Sequence, residues 1–333
     1  MRTLNSHKYE FEYLQRTAPI MAFDKENPYA WKQQAKEKLT ELLGLPLEKG
    51  ACKVEQEYDV MEEAYRNIRF LVETEPGYTV PCHLLIPTEP KEKMPLTICL
   101  SGHGGGMHVA MGKAKREADE KTLEEWHHRA IGKRAVRMGR CALVIEARNF
   151  GESSLEGIGT SCTEAAKIAI LMGRTVIGER VWDAMRILDA VLEAFPFIDS
   201  SDIACTGNSG GGTATYYLAA MDERITLAAP SCSVCTYEAS IAAMPHCMCN
   251  HIPYIRKYFE MGDLAGLIAP RKLIVAAGAQ DPIFPIDGVH KAFDTISEIY
   301  ETFGVKEKAA LVVGELGHLN YADLIWAKAE ELI

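Results

Sequence analysis

The stretch Ile203-Ala204-Cys205-Thr206-Gly207-Asn208-Ser209-Gly210-Gly211-Gly212-Thr213-Ala214-Thr215-Tyr216-Tyr217-Leu218 decides how the chain is to be read. It opens as a short apolar strand, turns through G-x-S-x-G, and continues as a helix. That is the strand–turn–helix context in which this motif exposes a serine on a strained turn. Small residues on either side of Ser209 leave room for the neighbouring strand and helix. The helix N-terminus beneath the serine favours developing negative charge.

A serine hydroxyl is a weak nucleophile and needs a base, and the base needs an orienting group. Downstream, the strand-like run Leu273–Ala277 ends in Gly278-Ala279-Gln280-Asp281-Pro282-Ile283-Phe284-Pro285. The final strand-like run, Ala309–Val313, ends in Gly314-Glu315-Leu316-Gly317-His318. Asp281 and His318 thus each follow a strand, with room between the three residues for further strands and helices. The spacing predicts Ser209 as nucleophile, His318 as base and Asp281 as orienting acid, with Asp287 and Glu315 as alternative acids. Upstream, Leu96–Leu100 feeds Ser101-Gly102-His103-Gly104-Gly105-Gly106-Met107-His108. Glycine lets backbone N–H groups approach a reacting carbonyl. One oxyanion donor is therefore expected at the N–H of His103 or Gly104 and the other at Gly210. The loop lacks the G-K-[ST] ending of a phosphate-binding loop. His108, Asn208, Cys232 and Phe284 are read as lining the substrate pocket.

Outward from these motifs, short apolar runs at 96–100, 142–145, 203–206, 226–229, 273–277 and 309–313 alternate with helical stretches such as Val176–Phe195. Such runs suit parallel strands buried on both faces, and the alternation predicts a doubly wound α/β sheet. Val54–Met61, Ile68–Thr74 and Thr79–Ile86 read as strands too, the last two joined at Pro76-Gly77 as an antiparallel hairpin. Before them, Asn27-Pro28 and Gly44 bracket an amphipathic helix, with Asn27 as its cap. The predicted organisation is a helical extension over residues 1–50 packed on one catalytic domain over 51–333.

These residues resemble the α/β-hydrolase superfamily, and within it the branch of dienelactone hydrolases and acetyl xylan esterases. The resemblance is carried by Ser101–Gly106, Ala147–Ser153, Ile198–Gly212, Asp281–Pro285 and Gly314–His318, with the leading helix ending at Leu42-Leu43-Gly44-Leu45-Pro46. It implies a mostly parallel eight-stranded sheet with helices on both faces and an N-terminal helical extension. It also implies hydrolysis of short-chain esters, acetyl esters of carbohydrates among them, through an acyl-serine. Dienelactone hydrolases proper use a cysteine where this chain has Ser209. Glu146 and Asn149 stand where the branch often has Asp and Gly. The rival readings are a serine peptidase of the prolyl-oligopeptidase type, for whose propeller the chain has no room, and a non-catalytic binding member, which usually loses a triad residue.

Composition narrows the partners. The 333 residues carry a net charge of −10 and 47% apolar residues, which gives no footprint for nucleic acid or an anionic membrane surface. No window reaches the ~18 uncharged apolar residues of a membrane span. The first 17 residues carry charges throughout and no apolar signal region. The expectation is a cytoplasmic enzyme acting on a small-molecule ester, with no cofactor, and free to form a homo-oligomer. Ten cysteines then read as reduced thiols. Cys232-Ser233-Val234-Cys235 and Cys247-Met248-Cys249 are grouped as one thiol-rich loop beside the site, and no metal is expected there. Lys113–Glu125 and His127-His128 read as solvated. Arg174 and Arg180 read either as ion-pair partners or as substrate-recognition residues.

Overall fold

A computed structural model of the chain describes residues 4–125 and 129–332. Its strands are β1 (Val54–Met61), β2 (Tyr65–Glu75), β3 (Tyr78–Pro87), β4 (Met94–Leu100), β5 (Cys141–Ile145), β6 (Ile198–Asn208), β7 (Leu227–Ser231), β8 (Lys272–Gly278) and β9 (Ala309–Gly314). The helices are α1 (Ser6–Arg16), α2 (Pro28–Leu43), α3 (Met107–Ala110), α4 (Glu117–Glu125), α5 (Ile131–Arg137) and α6 (Cys162–Leu171). They continue as α7 (Val176–Ala194), α8 (Gly210–Met221), α9 (Ile255–Tyr258), α10 (Ala265–Ile268), α11 (Ile286–Thr302) and α12 (Ala322–Glu331).

The strands form one sheet in the order β1-β2-β3-β5-β4-β6-β7-β8-β9. The first four in that order pair antiparallel, and every pair from β5 to β9 is parallel. The parallel part is what the apolar runs predict: β5 and β7 are buried along their whole length, β4 and β8 nearly so, and β6 from Ile203 to Asn208. Nine strands are present where the family resemblance implied eight, and all nine fall on runs that read as strands in the sequence. The charged edge strand β1 keeps only Val54 half-buried and hangs on β2 alone. Its exposed charges suit an edge that must not pair further.

The chain runs from β4 outward to β5 and then back across to β6, so the order reverses between β4 and β6. In an open α/β sheet such a reversal leaves a crevice beyond the carboxyl ends of the strands. The glycine-rich loop leaves β4 there, and Ser209 leaves β6.

Helix α2 lays Trp31, Ala35, Leu39, Leu42 and Leu43 into the main core, with Pro28 in its first turn and Gly44 closing it at φ +74°. Asn27 stands at the N-cap but makes no capping bond; its amide goes to the Asp24 carboxylate at 3.1 Å instead. Helix α7 is capped by Thr175, whose hydroxyl accepts the Gly178 N–H at 3.0 Å. Val181 and Leu188 are buried, while Met185 and Leu192 lie half-buried at its margin. Among the described residues no helix is long and apolar enough to cross a membrane.

Candidate active site

Strand β6 delivers Ser209 with φ +55° and ψ −121°, a backbone conformation that costs an L-residue on the order of 1–3 kcal/mol. The turn is held from both sides. The Ser209 N–H donates to the Ser231 carbonyl at 2.9 Å, and its own carbonyl accepts the Thr213 N–H at 2.8 Å as α8 begins. A Cβ added at Gly211 would sit 2.0 Å from the Leu100 carbonyl oxygen, so only glycine lets α8 pack this closely on β4.

Ser231 at the end of β7 ties the serine turn to the histidine segment. Its hydroxyl donates to the Leu319 carbonyl at 3.0 Å, next to His318. His318 Nδ1 lies 2.8 Å from Asp281 Oδ2. With Nδ1–H donating to the carboxylate, Nε2 is left as the acceptor. The second Asp281 oxygen accepts the N–H groups of Ile283 (2.8 Å) and Phe284 (3.1 Å). Burial on its own would raise the Asp281 carboxyl. The His318 bond and charge and the two backbone donors outweigh it and hold the group below its ordinary value. Among the described contacts His318 meets Asp281 and neither of the alternative acids, Asp287 or Glu315. The Phe284 ring stacks on the His318 imidazole, with centroids 5.9 Å apart and planes 11° from parallel. The residue read as pocket lining therefore also fixes the imidazole plane.

The glycine-rich loop abuts the serine turn. A Cβ on Gly102 would lie 2.5 Å from the Asn208 carbonyl oxygen, and one on Gly210 would lie 2.7 Å from the His103 ring. Two arginines grip the loop's carbonyls: Arg129 donates to His103 O and Arg116 to Gly104 O, each at 3.0 Å. A trans peptide sets N–H opposite C=O, so the Gly104 N–H points away from Arg129. Glu146, fully buried, accepts the N–H of Met107 (2.9 Å) and of Glu152 (3.1 Å). Burial pushes its carboxyl up to about 7.

The other pocket candidates are differently placed. The Asn208 side chain is buried with neither amide atom partnered. Together with Asn320 and the glycine-rich loop it lines a small cavity of about 20 Å³. His108 is buried against Asp119, with Nε2 2.9 Å from the carboxylate. Asp119 also takes Arg116 at 2.9 Å. The segment 113–125 is therefore not solvated throughout, because this carboxylate sits at its centre with 0% exposure. His127 and His128 lie outside the described residues. Cys232 lies within reach of the acid–histidine pair, and burial pushes its thiol up to about 12. His246, between Ser240 and Asn250 at 3.2 Å from each, also approaches Phe284 edge-on at 5.2 Å. Burial first, and then the neighbouring histidines, lower it to about 4. Arg174 proves to be an ion-pair residue, bonded to Glu75 (2.7 Å) and Glu179 (2.8 Å).

The four cysteines grouped by sequence part company. Cys235 packs under α11, 3.7 Å from the Pro285 carbonyl. Cys247 and Cys249 instead meet His103 and Cys162. No local spacing signals Cys162, which lies more than eighty residues upstream of Cys247, nor Arg129 and Glu146, whose partners are loop backbone atoms.

A hydroxyl on a strained turn at a helix N-terminus, a histidine–carboxylate pair and a glycine loop pressed on the turn are the parts acyl transfer requires. The chain matches the model of a family described as the abhydrolase family over residues 4–315. The Bacillus subtilis protein named "Putative hydrolase YtaP" is 23% identical over 267 residues, 79% of this chain and 86% of its own. A Bacteroides fragilis structure titled "putative acetyl xylan esterase" superposes with a TM-score of 0.83 at 17% identity, covering 100% of this chain and 96% of that one. A glucuronoyl esterase from Solibacter usitatus gives 0.68 at 15%, covering 94% and 93%. The expected fold is thus borne out, and the chain belongs to the abhydrolase family of the α/β-hydrolase superfamily.

Proposed function

We propose that the protein is a serine carboxylesterase acting on short-chain esters, acetyl groups on carbohydrate first among them. The observation that carries this reading is Ser209, held at φ +55° at the head of α8 and joined through Ser231 to the segment bearing the His318–Asp281 pair. The titles of the structural relatives, which name acetyl xylan and glucuronoyl esterases, support the carbohydrate ester as substrate class.

In this reading Ser209 Oγ attacks the ester carbonyl as His318 Nε2 takes its proton. Asp281 holds Nδ1–H and stabilises the imidazolium. The N–H of Gly210, with that of His103 or Gly104, receives the oxyanion. His318 then returns the proton to the leaving alcohol, and the acyl-serine forms. Water, activated by the same imidazole, releases the acid.

Turnover of p-nitrophenyl acetate, followed by acetylated and uronate-ester oligosaccharides, tests the proposal. Ser209→Ala should lower kcat by on the order of 10⁶. Wild-type turnover by that variant would overturn the nucleophile, and absence of ester turnover by the wild type would overturn the class.

A further inference from the structure

The side chain of His103 is not aimed at the serine. Its Nε2 lies 3.4 Å from Cys249 Sγ and 3.8 Å from Cys162 Sγ, and Cys249 Sγ lies 3.3 Å from Cys247 Sγ. The four ligand atoms all fall within 4.8 Å of one another. We propose that His103, Cys162, Cys247 and Cys249 bind one tetrahedral zinc ion.

The dimensions fit. Zn–S bonds of ~2.3 Å and a Zn–N bond of ~2.0 Å in a tetrahedron require edges of about 3.5–3.8 Å. At 3.3 Å the Cys247 and Cys249 sulfurs are not joined as a disulfide, whose bond is ~2.05 Å. The ligand types are those of structural zinc, and four protein ligands leave no open position for chemistry.

Charge provides a separate line of support. Arg180 is buried beside the cluster at 4% exposure, and among the described residues no carboxylate pairs with it. Its guanidinium donates to the Arg148 carbonyl (2.8 and 3.1 Å) and to Cys162 Sγ (3.2 Å), and lies 4.2 Å over the Phe150 ring. A buried cation needs an anion. Three thiolates, a neutral imidazole and Zn²⁺ carry a net charge of −1, which Arg180 neutralises. The three thiols give up three protons on binding. Around them Phe150, Ala166 and Val176 make an apolar shell, with Cys162 and Cys249 buried and His103 and Cys247 half-buried.

The ion would clamp three segments that share no strand: the glycine-rich loop at His103, the start of α6 at Cys162, and the turn at Cys247–Cys249. Holding the glycine-rich loop bears on catalysis only if the esterase reading is right. The metal site stands without it, and its test does not read activity.

The test is elemental analysis of the full-length protein, purified reduced and without chelator. Refolding with Co²⁺ supplies an optical readout. The expected result is about one zinc per chain, with the thiolate charge-transfer and tetrahedral ligand-field bands of cobalt on substitution. Cys162→Ala should bring the metal below about a tenth per chain, while Cys235→Ala, from the pair that spacing alone would have recruited, keeps it. Should Cys162→Ala fail to fold, the wild-type metal content and cobalt spectrum still decide. A wild-type protein with no stoichiometric zinc, a Cys247–Cys249 disulfide in the reduced preparation, or full metal in Cys162→Ala would overturn the proposal.

Discussion

The placement of Ser209, Asp281 and His318 beyond the ends of β6, β8 and β9 was legible because each follows its strand in a short motif. The groups that hold them were not, because their contacts are to backbone atoms distant in sequence. Arg129 grips a carbonyl of the glycine-rich loop 26 residues upstream. Arg129→Met should therefore loosen the loop and lower kcat for p-nitrophenyl acetate by about tenfold, with little change in KM. Losing a whole oxyanion donor costs ~10²–10³, and an unchanged kcat would remove Arg129 from the account. Glu146 offers a pH signature. Its folded value, about 7, lies above its ordinary 4.5. As pH rises between those values the unfolded chain releases this proton before the folded one does, so stability falls across that window and levels off above it. The loss is at most about 3 kcal/mol at ~1.4 kcal/mol per unit. Glu146→Gln should give a flatter dependence of unfolding free energy on pH from 5 to 7. It should also carry a pH-independent cost of ~1–2 kcal/mol, since the amide can accept only one of the two N–H groups. Parallel curves for the two proteins would contradict the assignment.

At the scale of elements, continuous apolar runs identified the buried parallel strands, and amphipathic spacing identified α2 and α7. The boundaries moved where pairing, rather than composition, sets length. β6 runs from Ile198 to Asn208, although only its middle reads as apolar, because Met94 pairs with Ile198 at its start and Ser231 with Asn208 at its end. The polar start of β6 carries no periodic signal. Asn27 has the right residue type for a cap, but Asp24 competes for its amide, a local contest that position preferences do not resolve. Helix α2 serves packing, not chemistry. Leu39→Ala, at a position with 0% exposure, should cost ~2–5 kcal/mol in denaturant unfolding and leave the turnover of folded protein unchanged. A loss of turnover at full stability would mean that α2 contributes to the site.

In the whole molecule, the sheet order decides where chemistry can happen. The strand reversal between β4 and β6 places the glycine-rich loop beside the serine, and β7, β8 and β9 then follow in order, bringing Asp281 and His318 to the same edge. Alternation of strand and helix was enough to anticipate the sheet, and motif order was enough to anticipate that Asp281 and His318 meet. The regrouping of cysteines was beyond both, since it depends on which loops the reversal brings together. The proposed chemistry rests above all on Ser209 as the activated nucleophile. The most direct measurement is mass spectrometry of the protein after treatment with a fluorophosphonate. A single adduct mapped to Ser209, forming far more slowly in His318→Ala, is predicted. No adduct, or an adduct on another residue, would contradict it.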